Sequence, residues 1–87
     1  MFQQKVVQRP MASIILGPGE QFEHQHANES ETILRRGRVR ISIGAQKEKE
    51  MQVNQPVKVP ASTPHQLRNE GDDYAIIDCH HDPRRRP

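Results

Sequence analysis

Hydrophobic and polar residues alternate along several short stretches of the chain, as they do in half-buried β-strands. The clearest case is RVRISIG (38–44), where one valine and two isoleucines alternate with arginine and serine. MASIILG (11–17), VKVP (57–60) and YAIIDCHH (74–81) are further predicted strands. The stretch AQKEKEMQ (45–52) is rich in helix formers but has too few apolar residues for a buried stripe, so we interpret it as the exposed end of a hairpin.

Turn-forming residues separate these strands at short and fairly regular intervals. They lie at 17–19 (Gly-Pro-Gly), 37, 44, 54–56 (Asn-Gln-Pro), 60–64 and 70–73. Many short strands joined by tight turns predict an all-β fold, either an antiparallel sandwich of the jelly-roll type or a small β-barrel.

Composition and charge narrow the function classes. The 87 residues fit one domain, and 13 Lys and Arg against 11 Asp and Glu give a net charge of +2. Much of this excess lies in residues 82–87, which we expect to form a disordered basic tail. With no tryptophan, one tyrosine and two phenylalanines, the chain has no base-stacking platform, so nucleic acid is not an expected partner.

The compartment is predicted from the cysteine count and from apolar runs. One cysteine excludes an internal disulfide framework. No apolar run approaches the roughly 20 residues of a membrane span, and the first residues lack the apolar centre of a signal peptide. We therefore expect a cytoplasmic protein that is not associated with a membrane.

Candidate chemistry begins with EHQHANESE (23–31), in which two histidines are one residue apart. On a strand, His24 and His26 project from one face, about 6.7 Å apart, and Phe22 shares that face. Two such imidazoles can approach one metal ion at about 2.1 Å. A His-x-His pair is more often a surface feature, but an inward Phe22 favours a site.

A metal needs more than two ligands, and other parts of the chain supply candidates. Glu29 and Glu31 follow the histidine pair after a short turn, so a hairpin would bring one of them back. PASTPHQLRN (60–69) contributes His65, with Leu67 and Asn69 at the same parity. Three histidines and one carboxylate form a set able to bind Fe, Mn, Ni or Zn.

In these residues the chain resembles a single-domain cupin, a family of small antiparallel β-barrels (double-stranded β-helices) with two motifs. The first reads Gly, five residues, His-x-His, three or four residues, Glu, six residues, Gly, and here the matching residues are Gly19, His24, His26, Glu31 and Gly37. The second reads Gly, five residues, Pro-x-Gly, two residues, His, three residues, Asn. Here its matching residues are Pro60, His65 and Asn69, with Asn54 and Ser62 in place of the glycines.

The resemblance implies a domain boundary, a ligand set and an assembly. It covers residues 12–81 as the barrel, leaving 1–11 as an N-terminal segment or a strand exchanged between subunits. It implies a homodimer, since single-domain members of the family are commonly dimers. The implied metal ligands are His24, His26, Glu31 and His65.

The chain departs from the family pattern in two ways. Only four residues separate Gly19 from His24, and only five separate Glu31 from Gly37, so Glu29 stays an alternative carboxylate ligand. Asn54 tolerates the left-handed backbone of the glycine it replaces. Ser62 predicts a turn that does not demand a positive φ.

The predicted pocket is mostly aliphatic. Arg35 is interpreted either as part of a solvated outer face or as a charge at the cavity mouth that pairs with a carboxylate substrate. Cys79 is interpreted either as a small buried hydrophobe or as a reactive thiol near the metal. The candidate lining residues are Phe22, Arg35, Ile41, Leu67, Asn69 and Cys79.

Two functions fit the predicted metal site and pocket. The first is a metal-dependent enzyme, a dioxygenase or isomerase, that acts on a small organic acid or carbonyl compound by chelation at the metal. The second is a non-catalytic, metal-containing module that binds or senses a small molecule. No residue stands out as a general base, and fold and metal do not choose between the two functions.

Overall fold

Eight β-strands make up the computed structural model, which describes residues 11–81. The predicted exchanged N-terminal strand and the predicted disordered tail fall on residues 1–10 and 82–87, which lie outside the described residues. The strands are β1 Met11–Leu16, β2 Gln21–His24, β3 Ser30–Arg36, β4 Val39–Ile43, β5 Lys49–Glu50, β6 Val57–Val59, β7 His65–Asn69 and β8 Ala75–His81. The described part of the chain has no helix, and so none that is long and apolar enough to cross a membrane.

The strands form two four-stranded sheets, with the orders β1-β8-β3-β6 and β2-β7-β4-β5. Every pairing between named strands is antiparallel. The chain passes repeatedly from one sheet to the other, which is the connectivity of a jelly roll. The predicted all-β jelly roll is confirmed. Between 11 and 81 no ladder closes the two sheets into one barrel, so the fold is a sandwich.

Alternation along the strands places the core between the sheets. In β4 Val39, Ile41 and Ile43 are buried, whereas the intervening Arg40 and Ser42 are half-buried. In β8 the buried positions are likewise every second residue. Complete burial of one such aliphatic side chain contributes roughly 1.5–3 kcal/mol. The apolar cluster comprises Leu16, Leu34, Val39, Ile41, Ile43, Met51, Val59, Leu67, Ala75 and Ile77.

The segment 45–52 divides into an exposed and a buried part. Its residues up to Glu50 are exposed, and Lys49–Glu50 pair with β4 as the short outer strand of a hairpin. Met51 is buried in the apolar cluster, and its backbone N–H donates to the Val39 carbonyl at 2.9 Å. The hairpin therefore ends where the chain turns back toward the core.

Five described residues have a left-handed backbone, Gly19, Gly37, Gly44, Asn54 and Ser62, and one of them overturns an expectation. Gly37 has φ 99°, and a Cβ there would lie 2.8 Å from the Ala75 Cβ, so only glycine fits. Asn54 has φ 63°, as its tolerance of this conformation allows. Ser62 has φ 55°, so the expectation that its turn avoids positive φ is wrong. The turn keeps the geometry of the glycine that serine replaces, at a cost of about 1–2 kcal/mol.

Candidate metal centre

Two of the predicted ligands face each other across a strand pair. His24 at the end of β2 is directly opposite His65 at the start of β7. Both follow the inward parity of their strands, which also turns Phe22 and Leu67 toward the core. The His24 and His65 ring centroids are 5.6 Å apart, and the Phe22 and His24 centroids 5.2 Å.

The third histidine comes from the connection after β2. His26 is buried, and its ring centroid lies 4.1 Å from that of His24 and 5.5 Å from that of His65. The backbone N–H of Ser62 donates to the His26 carbonyl at 2.7 Å, so the turn before β7 fixes the connection that carries His26. We call His24, His26 and His65 the histidine cluster.

His65 is the most enclosed member of the histidine cluster, with 2% of its surface exposed. Neither ring nitrogen has a hydrogen-bond partner of ordinary geometry among the described residues. Burial lowers the pKa of His65, the charge of a protonated His24 lowers it further, and the Thr63 backbone acts in the opposite direction. The ring is therefore neutral near pH 7, the form that binds metals.

The cluster fits a metal in its donor types and, in part, in its geometry. Imidazoles that share an ion at about 2.1 Å have ring centroids about 4.5–5.5 Å apart. The His26–His65 distance of 5.5 Å is at the upper limit of this range and the His24–His65 distance of 5.6 Å is just beyond it, whereas His24 and His26 are stacked at an interplanar angle of 29° and are too close. Among residues 11–81 no group of three or more His, Cys, Asp or Glu side chains is already arranged to hold a metal. A rotation of the His24 or His26 ring would be needed for convergence.

The predicted carboxylates do not complete a preformed ligand group with the histidines. Glu31 is on the outer face of β3, in register with Lys58 of β6 and His80 of β8. Its neighbours Ser30 and Thr32 are buried, and adjacent strand residues face opposite ways. Glu29 is exposed in the connection between β2 and β3.

Ser30 occupies the inward position that Glu31 was expected to take. Three residues separate it from His26 and six from Gly37, which are the spacings of the glutamate in the first cupin motif. The short Glu31–Gly37 interval is therefore the sequence signal that points to Ser30 as the inward residue. A shift of one residue along a strand reverses the face that a side chain occupies.

Ser30 lies at the same end of the sandwich as the histidine cluster. It starts β3 opposite Val59, which ends β6. The connections 25–29 and 60–64 join these strand ends to His24 and His65. We call this the histidine end, defined by His24, Ser30, Val59 and His65.

The apolar pocket candidates and the cysteine face the space between the sheets. Ile41, Leu67 and Cys79 are buried, and Phe22 is half-buried. Burial raises the pKa of the Cys79 thiol, and the adjacent Thr32 hydroxyl opposes this rise only in part. The thiol is therefore protonated at neutral pH, which favours the interpretation of Cys79 as a small buried hydrophobe over that of a reactive thiol.

Two other pocket candidates lie away from the histidine cluster. Arg35 is on the outer face, where its Nε donates to Asp78 Oδ2 and an NH₂ group donates to Asn54 Oδ1, both at 2.9 Å. This placement agrees with the solvated outer face and not with the cavity mouth. Asn69 ends β7, four residues from His65, and its side chain is bonded to backbone groups.

A groove of about 430 Å³ opens beside β5 and β6. Its walls include Ile43, Met51, Val57 and Lys58, and none of the six predicted pocket residues lines it. The groove is thus a surface separate from the predicted pocket.

Comparisons with known proteins agree with this architecture. The profile of the Cupin domain family matches residues 12–79. Comparison with curated proteins gave no match. Among solved structures, the Drosophila melanogaster CENP-C cupin domain is similar with a TM-score of 0.73 and 14% identity, over 84% of this chain and 60% of that chain. The chain thus spans about three fifths of that protein's length.

Two microbial structures are similar at 20% identity. One is the Cupin_2 domain of an XRE family transcriptional regulator from Enterobacter cloacae, with a TM-score of 0.72 over 93% of this chain and 88% of that chain. The other is an RmlC-like cupin family protein with a double-stranded β-helix fold from Methanocaldococcus jannaschii, with a TM-score of 0.71 over 84% and 70%. Identities this low establish the fold alone.

Proposed function

The chain belongs to the Cupin domain family, and on that premise we propose that it binds a divalent transition metal through His24, His26 and His65. The metal then holds a small organic acid or carbonyl compound by chelation. The observation that carries the proposal is the meeting of three imidazole rings, of which His26 and His65 are buried and His24 is half-buried, with both His65 ring nitrogens buried and lacking hydrogen-bond partners in the described chain. Leaving such groups buried is costly, and a metal is one way to satisfy them.

The imidazole donors restrict the choice of metal to several transition metals but do not identify which one binds. Neutral imidazoles bind Fe, Mn, Ni and Zn in their divalent states. A bound metal of this kind supplies Lewis acidity toward a carbonyl or enol, and iron also supports oxygen chemistry. The protein's part is to orient the metal and to surround the ligand with apolar residues such as Phe22 and Leu67.

Metal analysis of protein purified without a histidine tag tests the proposal. About one equivalent of a transition metal per chain is expected, and His24→Ala is expected to weaken the affinity for added metal. His80→Ala is the matched control, because His80 lies on the outer face of β8 in register with Glu31. Absence of stoichiometric metal, together with an unchanged affinity in His24→Ala, would contradict the proposal.

Whether the protein chemically converts its ligand is a separate matter, and the two candidate functions differ in this respect. The enzymatic form is a metal-dependent dioxygenase or isomerase. The alternative is a non-catalytic binding or sensor module, which draws on the similar domain of a transcriptional regulator. Bound iron whose absorption spectrum changes on addition of a candidate acid and O₂ favours the first form. A metal that stays spectroscopically and chemically inert favours the second.

Assembly and compartment complete the proposal. We expect a homodimer, because β1 and β6 are edge strands of one sheet and Ile15 of β1 is two-thirds exposed. We also expect a cytoplasmic location, since the chain has one cysteine and needs no disulfide. Sedimentation of the purified protein tests the first expectation, and cell fractionation tests the second.

A further inference from the structure

We propose that two copies of this chain associate by antiparallel pairing of their β1 strands, so that the sheet β1-β8-β3-β6 of one copy and that of the other join into one sheet of eight strands. This inference rests on the homodimer of the proposed function and adds the surface that forms it. It follows from a comparison of the four edge strands of the sandwich.

Three of the four edge strands carry features that block pairing with another chain. The edges are β1 and β6 in one sheet, and β2 and β5 in the other. β6 has only three residues, with exposed Lys58 at its centre and with Pro56 and Pro60 on either side. β5 consists of two exposed charged residues, and β2 carries exposed Glu23. Short length, charged side chains and prolines are the usual means by which natural sheets protect an edge.

β1 has none of these protecting features. It is six residues long, and its sequence MASIIL contains neither a charged residue nor a proline. One side of β1 pairs with β8 from Met11 to Leu16, whereas no described strand pairs with its other side. Ile15, beside Ile76 of β8 on the outer face, is 67% exposed. A long, uncharged and apolar edge of this kind is a site where another strand adds to the sheet.

A second copy is the partner that fits this edge. A two-fold axis perpendicular to the sheet lets one surface serve both subunits, so that association stops at two. Such an axis reverses the strand and keeps the apolar face of each sheet on the same side, and antiparallel pairing is already the rule between the named strands of this fold. The outer edges of the joined sheet are then the two β6 strands, which are the protected ones.

The proposed dimer keeps the two histidine clusters apart. β1 begins at the histidine end, because Met11 is opposite His80 and Ser30 is opposite His81. Antiparallel pairing places Met11 of one copy toward Leu16 of the other, so the two histidine ends point in opposite directions. Each histidine cluster therefore belongs to one subunit, and dimerisation should not change metal affinity.

Sedimentation of the full chain and of two matched variants tests the choice of edge. Ile15→Lys gives β1 the charge that the other edges have and should weaken dimerisation by at least about tenfold. Val53→Lys is the control, because Val53 is also about half exposed (52%) but bridges Leu34 of β3, away from β1. It should leave dimerisation unchanged. Both variants should bind Zn²⁺ within about threefold of the parent, and circular dichroism checks their folding.

Cross-linking tests the position of the two strands directly. Ser13 is near the middle of β1, and residues that are opposite or diagonal across a strand pair are within about 8 Å of each other. A short bismaleimide should therefore join two copies of Ser13→Cys and should not join two copies of Val53→Cys. The parent should not be joined either, because its single cysteine, Cys79, is buried and burial raises the pKa of the thiol.

The outcomes separate this inference from the function on which it rests. A dimer that Ile15→Lys does not weaken and that Ser13→Cys does not cross-link overturns only the β1 interface. A monomeric parent overturns both the homodimer and the interface, and slow hydrogen exchange in β1 of that monomer would assign the edge to residues 1–10 of the same chain. A dimeric parent that binds no Zn²⁺ contradicts the metal site and leaves the interface supported by the cross-link.

Discussion

Each end of β7 buries one polar side chain, and the two side chains differ in their hydrogen bonding. At one end, the Asn69 amide nitrogen donates to the carbonyls of Leu16, Gly17 and Asp73 at 2.8–3.0 Å, and Asn69 Oδ1 accepts from the Gly71 N–H at 2.8 Å. At the other end, both ring nitrogens of His65 lack such a partner in the described part of the chain. Both residues are almost completely buried.

This difference separates a structural role from a ligand-binding one. A buried polar group with all its hydrogen bonds made holds the fold together. One left without partners destabilises the fold unless something else supplies them. Asn69 therefore joins the β1–β2 turn to the turn before β8, whereas the proposed function assigns the His65 ring to a metal. Substitutions at the two ends should accordingly give opposite patterns of stability and metal binding.

The largest expected loss of stability is at the asparagine end. Asn69→Ala removes one side chain that serves four backbone groups, so the free energy of unfolding should fall by about 3 kcal/mol. Metal affinity per folded molecule should stay unchanged. Urea denaturation measures the first quantity and calorimetry the second. Gln66→Ala, on the outer face of the same strand, is the matched control and should cost less than about 0.5 kcal/mol. An equal loss in both variants would remove the contrast between the two ends.

His65→Leu should show the reverse pattern. Leucine fills similar space without buried nitrogens, so the metal-free protein should be as stable as the parent or up to about 1 kcal/mol more stable. Its metal affinity should fall by at least about 100-fold, since the loss of even an outer-shell partner of a ligand costs 10–100-fold. A His65→Leu variant that unfolds readily would assign His65 to the fold and not to the site.

The pH dependence of stability tests the same contrast without changing the fold. The pKa of His65 is lowered in the folded state, chiefly by burial. Below about pH 6.5 the unfolded chain therefore binds a proton at His65 that the folded chain does not bind. The stability of the metal-free protein should therefore fall as the pH decreases through this range. His65→Leu should reduce this dependence, and Asn69→Ala should keep it. Urea midpoints between pH 5 and 8 provide the measurement.

The smallest effect concerns the backbone of the turn that holds His26. Ser62 adopts φ 55°, where glycine is free of steric strain, so Ser62→Gly should raise stability by about 0.5–1 kcal/mol. Asn54→Gly, at φ 63°, should give a smaller gain, because asparagine tolerates this region better. A loss of stability in Ser62→Gly would mean that the serine side chain, and not the turn geometry, stabilises this end.

How far the sequence predicts this molecule depends on the pattern of each strand. Apolar and polar residues alternate strictly in β4, so its aliphatic face and its outward arginine follow from the amino-acid sequence alone. β7 does not stand out, because its inner residues include a histidine and an asparagine, which carry no hydrophobic signal. The proximity of His24, His26 and His65 follows from the resemblance to the family motifs, whereas strand parity does not place His26, which lies just beyond the end of β2.

The phase of β3 was not predictable in the same way. Residues 25–29 form a connection and not a strand, so parity does not carry from His26 to Ser30 or Glu31. The placement of Arg35 depends on the register between β3 and β8, which brings it to Asp78. Such cross-strand neighbours are set by long-range pairing and are not encoded in any local stretch.

The composition of the apolar cluster affects how such a protein can evolve. None of its ten residues is a histidine, and none comes from the connections 25–29 and 60–64. Selection on the three histidines and selection on the apolar cluster therefore act on separate sets of positions. A descendant of this chain can exchange its three imidazoles for apolar residues, keep the sandwich and take up a different task. Gains and losses of metal binding should thus be frequent events among proteins built this way, each requiring only a few substitutions.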